Sequence, residues 1–156
     1  MEYEELLLRK RKAHKHSGFT ATDLNTNLFP FQDFITKRAL AAGKYAIWAD
    51  CGLGKTIMQL VWAEQVAEFT QQPVLILAPL VVCEQTIEEG QKFGIDMINI
   101  EINNYEQLDN IDTAKYAGVV LDESSILKNF EGATRNALID CFQNTPYKLC
   151  CTATPS

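Results

Sequence analysis

Ala49-Asp50-Cys51-Gly52-Leu53-Gly54-Lys55-Thr56 is the most informative octapeptide in the sequence. It matches the phosphate-loop pattern G-x-x-x-x-G-K-[ST] at every position but the first, where Ala49 stands for Gly. Its flanks suit that motif. Tyr45-Ala46-Ile47-Trp48-Ala49 is a short apolar run that reads as a buried strand. From Thr56 to Phe69, Ile57, Leu60, Val61, Val66 and Phe69 recur at roughly helical spacing. Strand, glycine loop and helix together build an anion site. Gly52 and Gly54 let the backbone turn tightly and approach a phosphate without a Cβ in the way. The N–H groups around Gly52, Leu53 and Gly54, with the positive end of the helix dipole, favour negative charge. Lys55 can reach the β- and γ-phosphates and Thr56 can give its hydroxyl to Mg²⁺. The alternative, a glycine turn that binds nothing, leaves the G-K-T register and both flanks unexplained.

Working outward, 156 residues make one domain with a substantial core. A hydrophobic content of 47% with 22% charged residues is that of an ordinary globular chain. No apolar run approaches the roughly 20 residues of a membrane helix. The acidic start Met1-Glu2-Tyr3-Glu4-Glu5 and the short Leu6-Leu7-Leu8 do not make a signal peptide, so the cytoplasm is the expected compartment. Five cysteines (Cys51, Cys83, Cys141, Cys150, Cys151) include no C-x-x-C pair, and they read as reduced small hydrophobes.

The net charge of −6 is uneven. Residues 1–16 hold five Lys/Arg against three Glu, whereas the remainder holds nine against 17 acidic residues. That excludes a general polyanion-binding surface. The run Arg9-Lys10-Arg11-Lys12 with Lys15 is either a local nucleic-acid contact or a solvated helix face.

Taken in order, residues 1–16 predict a helix closed by Ser17-Gly18, and a loop follows over residues 19–29. Pro30 near a first turn opens a second helix that Gly43 closes. Val74-Leu75-Ile76-Leu77-Ala78, stopped by Pro79, is apolar on both faces, as a covered parallel strand is. Residues 81–93 predict a helix, Met97–Ile102 a third strand, and Asn103 onward a short helix or turn. Ala117–Leu121 and Tyr147–Cys151 predict two more strands, with a helix over 133–142 between them. Strands alternating with helices give an α/β fold with a mainly parallel sheet.

Asp122-Glu123 follows the fourth strand directly. Ligands bind at the carboxyl ends of strands in open α/β sheets. Asp122 suits a Mg²⁺-holding carboxylate, and Glu123 suits a group that positions or deprotonates an attacking water. By itself the pair could equally cap a helix; a phosphate loop upstream favours a shared site.

This ordered set resembles the first motor lobe of superfamily-two helicases, the DEAD/DEAH-type ATPases, and most resembles their remodeller-like branch in phage and prophage genomes. Ala49-x-x-Gly52-x-Gly54-Lys55-Thr56 is that superfamily's own A-x-x-G-x-G-K-T loop. Phe29-Pro30-Phe31-Gln32 resembles its adenine-reading glutamine motif, in which Gln32 would present a donor and an acceptor to adenine and favour ATP over GTP. Leu77-Ala78-Pro79-Leu80 and Asn104-Tyr105-Glu106 resemble motifs that touch the nucleic-acid backbone, which assigns Pro79, Asn104 and Tyr105 to nucleic acid. Asp122-Glu123-Ser124-Ser125 resembles D-E-x-x, with Ser125 where the family has His or Asp. Thr152-Ala153-Thr154 resembles the S/T-A-T motif, and Ser125 would bond toward Thr152 or Thr154 to couple hydrolysis to movement.

The resemblance implies a three-layer, RecA-like phosphate-loop lobe over residues 28–156, with residues 1–27 as an N-terminal helix and loop. It implies ATP and Mg²⁺ as cofactors, Lys55 and Glu123 as catalytic residues, and nucleic acid, double-stranded DNA by the remodeller likeness, as partner. It also implies a bacterial or phage-infected cytoplasm. A family motor has a second lobe carrying an arginine finger. Arg9, Arg11, Arg38 and Arg135 are the sequence's arginines and none matches that motif. Hydrolysis is therefore expected to be slow or absent without a second lobe or partner protein. Two alternatives stay open: a non-catalytic nucleotide- or DNA-binding module, and an unrelated phosphate-loop enzyme.

Overall fold

The computed structural model describes residues 18–21, 23–24, 27–48, 54–122 and 142–152. Within these the chain runs α1 (Pro30–Ala42), β1 (Lys44–Trp48), α2 (Lys55–Thr70), β2 (Val74–Ala78), α3 (Leu80–Lys92), β3 (Ile100–Asn104), β4 (Gly118–Asp122) and β5 (Tyr147–Thr152). Two short 3₁₀ turns, Tyr105–Asn110 and Thr113–Lys115, connect β3 to β4. The helices expected over residues 1–16 and 133–142 lie outside the described residues, save Phe142 of the second.

The five strands form one sheet in the order β1-β5-β4-β2-β3, and every pairing is parallel. All five carboxyl ends therefore lie along one edge. The register aligns Trp48 with Thr152, Asp122 with Cys151, and Ala78 with Asn104. The chain passes from β1 over β5 and β4 to β2, and later returns to fill the gap. The ends of β1 and β4, Trp48 and Asp122, are thus brought two positions apart although 74 residues separate them in sequence.

Alternation along the strands splits the core in two. Val74, Ile76, Val120 and Leu149 face a cluster with Met58, Leu60, Val61, Trp62 and Val66 of α2. Leu75, Leu77 and Val119 face the other way, against Tyr105, Tyr116 and Phe142. The helix α2 is buried on most of its circumference, as a helix apolar nearly all round must be. It packs on the central strands, with α1 leaning on it and on β1, and α3 on it and on β3.

Boundaries follow local chemistry. Pro30 sits in the first turn of α1, where its missing N–H costs nothing, and Gly43 ends that helix at φ 79°. The third strand starts at Ile100, later than the apolar run beginning at Met97 predicts. Asp96 Oδ1 accepts from Ile98 N at 3.1 Å, and Ile100 N donates back to Met97 O at 3.1 Å. That turn leaves Ile98 86% exposed, so pairing begins two residues beyond it. Phe69, expected in the apolar stripe of α2, is instead largely exposed and stacks on Phe19 with ring centroids 4.1 Å apart.

If the sheet face under α2 carries the stability, Ile76→Ala in the centre of β2 lowers the unfolding free energy by about 2–5 kcal/mol. Val81→Ala, on the exposed flank of α3, changes it by no more than about 0.5 kcal/mol. Urea denaturation of both variants checks the contrast.

Candidate nucleotide site

The site lies where the carboxyl edge of the sheet meets the N-terminus of α2. Gly54 caps that helix in the left-handed region, at φ 73° and ψ 40°. A Cβ built there would come 2.1 Å from Gln32 Nε2. The left-handed conformation calls for glycine, and the end of the Gln32 side chain fills the space a Cβ would take. Lys55, the first residue of α2, turns inward and is 7% exposed. Its Nζ lies 3.3 Å from Oδ1 of Asp122, itself 2% exposed at the end of β4.

The same carboxylate oxygen accepts from Gln59 Nε2 at 2.8 Å. Lys55 and Gln59 are four residues apart, hence on one face of α2 and one turn from each other. Two groups from one helix thus converge on one carboxylate. An ionised carboxylate this deeply placed needs compensation, because its desolvation cost is several kcal/mol. A third contact braces the strand itself: the Tyr105 hydroxyl donates to the backbone carbonyl of Asp122 at 2.8 Å.

Gln32 is 3% exposed, one turn into α1. Its Oε1 accepts from Phe29 N at 2.8 Å, half of a capping box at the helix start. Its amide end abuts Gly54, so the glutamine motif and the phosphate loop are in direct contact. Thr56 is the second residue of α2 and half-buried.

Of the other residues singled out from sequence, Tyr105 points into the core, 7% exposed, and serves as the brace just described rather than a surface contact. Asn104 spends its Oδ1 on Glu106 N at 3.0 Å, capping the 3₁₀ turn. Pro79 is half-buried beside Leu80 and Val81, which are 63% and 87% exposed. Gly52, Leu53, Glu123, Ser125, Ala153 and Thr154 lie outside the described residues. The backbone of Thr152 ends β5 on the same edge, while its side chain is outside them.

Two residues escape a motif reading. Gln59 has a visible signal, being the one polar residue in Ile57–Ala63 and four places after Lys55. Cys151, the register partner of Asp122, has none. Burial pushes its thiol up, the Gln59 amide beside it pulls the other way, and the Asp122 charge raises it further. Burial likewise raises Cys83, whose Sγ faces the carbonyls of Ala78 and Pro79. Both stay neutral thiols, in keeping with small hydrophobes rather than nucleophiles. Among the described residues no cluster of three or more His, Cys, Asp or Glu forms a protein-only metal cage. The donors present, a buried carboxylate at the end of β4 and a threonine in the first turn of α2, suit a cation that takes most of its ligands from phosphate and water.

This parallel sheet, with a phosphate-loop helix and a strand-end carboxylate at its carboxyl edge, is a RecA-like phosphate-loop lobe. The chain belongs to the family described as Type III restriction enzyme, res subunit, whose model matches residues 25–143. No curated protein sequence matches it. Among solved structures, the UvsW helicase from bacteriophage T4 superposes with a TM-score of 0.70 at 11% identity, over 99% of this chain and 61% of that one. The Sulfolobus solfataricus SWI2/SNF2 ATPase core, in complex with dsDNA, gives 0.64 at 19% identity, over 88% and 35%. An ATP-dependent Type ISP restriction-modification enzyme, LlaBIII, bound to DNA, gives 0.62 at 15% identity, over 86% and 13%. These likenesses carry the fold. The chain spans about three fifths or less of each of those proteins.

Gly54→Ala puts a methyl group into Gln32 and a Cβ onto a left-handed backbone. It is expected to cost roughly 1–3 kcal/mol from the backbone strain alone. Adding Gln32→Ser removes the collision but not the strain, so thermal melts should show partial recovery only.

Proposed function

We propose that this lobe binds ATP with Mg²⁺ and serves as the nucleotide-binding half of a DNA-dependent helicase or translocase. The observation that carries the reading is the buried pair of Lys55 and Asp122 at the mouth of a left-handed glycine turn. A lysine and a carboxylate paired in the core do little for stability that a hydrophobic pair would not do. At a helix N-terminus on the carboxyl edge of a parallel sheet, they suit exchange of partners: the ammonium to phosphate, the carboxylate to metal.

In the proposed complex Lys55 leaves Asp122 for the β- and γ-phosphates. Asp122 and Thr56 would hold Mg²⁺, which when bound would neutralise charge on the phosphates. Gly52, Leu53 and Gly54 would contribute backbone N–H donors to the phosphates. Gln32, against Gly54, reads the adenine edge and favours ATP over GTP. Glu123 aligns the attacking water. Ser125, Thr152, Ala153 and Thr154 pass the phosphate state along the sheet edge toward nucleic acid, with Pro79 and Asn104 near the backbone path. Hydrolysis by this lobe alone is slow, since a transition-state arginine is worth ~10³–10⁵ in rate and the proposed source is a second lobe or partner protein.

The remodeller and phage-helicase likenesses in fold support duplex DNA as the polymer and a bacterial or phage-infected cytoplasm as the setting. No helix among the described residues is long and apolar enough to cross a membrane.

Calorimetric titration of ATP and of GTP into the chain with Mg²⁺ tests the reading. ATP is expected to bind, GTP at least tenfold more weakly, and Lys55→Ala to abolish the ATP heat. Equal binding by Lys55→Ala sinks the proposal.

A further inference from the structure

We propose that Gln59 is the positioning residue for the metal-holding carboxylate: its amide, buried one helical turn behind Lys55, keeps Asp122 Oδ1 in place when Lys55 departs to the phosphates. The inference rests on the reading of the site as a nucleotide–Mg²⁺ site and goes beyond it.

Lys55 and Gln59 share a single oxygen of Asp122, at 3.3 and 2.8 Å. Only one of these contacts can outlast nucleotide binding. The ammonium is needed where phosphate charge collects, and near a divalent cation it would be repelled. A neutral amide donor has neither conflict. It satisfies one lone pair of Oδ1, fixes the carboxylate's rotation, and leaves the remaining lone pairs free for metal. Such outer-shell donors orient ligands and commonly govern metal affinity by 10–100-fold.

Core packing does not account for the residue. Gln59 is 0% exposed within the apolar run Ile57–Ala63. Its Oε1 is buried with no hydrogen-bond partner among the described residues. Burying an unsatisfied amide oxygen carries a desolvation cost that an apolar side chain of the same length would not incur. The half of the amide that is satisfied is the half aimed at Asp122. A cost borne at a site, for one directed contact, is the pattern of a positioning group.

Gln59 also joins three elements. It belongs to α2, whose N-terminus is the phosphate loop; it bonds the last residue of β4; and it lies beside the Cys151 thiol of β5, one residue before Thr152. The carboxylate is thereby tied to the helix that holds the phosphates, so loop and metal ligand move as one body.

The test compares the wild-type chain with Gln59→Met, an apolar near-isostere, and Gln59→Leu. ATP affinity is measured by calorimetry across a series of free Mg²⁺ concentrations and in EDTA, beside thermal melts. The expected result is that both variants melt at or above the wild-type temperature and bind ATP normally in EDTA. They need roughly tenfold or more Mg²⁺ for half of the metal-dependent gain in affinity. An Mg²⁺ dependence identical to wild type overturns the inference. So does a lowered melting temperature with binding lost equally in Mg²⁺ and EDTA, the signature of a structural role. A wild-type chain that binds no ATP overturns instead the nucleotide reading on which the inference rests.

Discussion

A carboxylate left 2% exposed at the end of a strand cannot stand alone, and Asp122 is held by one ammonium and one amide from a single helix. Much of the architecture follows from making that arrangement possible. The helix must start at the carboxyl edge of the sheet, so that Lys55 in its first turn and Gln59 in its second both face β4. For that, Gly54 must take a left-handed conformation with Gln32 packed where a side chain would be. The strand end must not shift, and Tyr105 clamps the carbonyl of Asp122 from the opposite sheet face.

Sheet order supplies the rest of the geometry. In the order β1-β5-β4-β2-β3, the phosphate-loop strand and the carboxylate strand flank β5. A helix crossing from the end of β1 passes over β5 and β4, and its buried face meets Asp122 and Cys151 together. Because all pairings are parallel, each strand delivers its last residue to the same edge. The strand ends Trp48, Ala78, Asn104, Asp122 and Thr152 are thereby gathered along one edge. The polar work of the molecule is concentrated there, while both sheet faces remain apolar.

Much of this was legible in the sequence. Continuous apolar runs such as Val74–Ala78 fall as strands on the residues predicted, because a strand covered on both faces needs no polar alternation. The glycine–lysine turn is legible from its own spacing, whereas the strand-end aspartate reads as part of a site only in the company of that turn. What was hidden depends on three-dimensional partners. Met97–Asn99 is as apolar as a strand start, and only the Asp96 turn shows why pairing waits until Ile100. Tyr105 sits in a motif that reads as a nucleic-acid contact, yet its ring is drawn inward by Leu75, Leu77 and the Asp122 carbonyl. Gln59 belongs to no motif; its importance comes from the register of a helix against a strand 63 residues away. Gln32 was legible as a residue but not in its packing against Gly54, which no spacing rule conveys.

The central claim is that the Lys55–Asp122 pair is the resting form of a nucleotide–metal site. A crystal structure of the chain grown with ADP and Mg²⁺ tests it most directly. Phosphates are expected over the N-terminus of α2, with Lys55 Nζ moved from Asp122 to phosphate oxygen and Asp122 facing the metal while still accepting from Gln59. Nucleotide bound elsewhere, or bound with the Lys55–Asp122 contact intact, would contradict it.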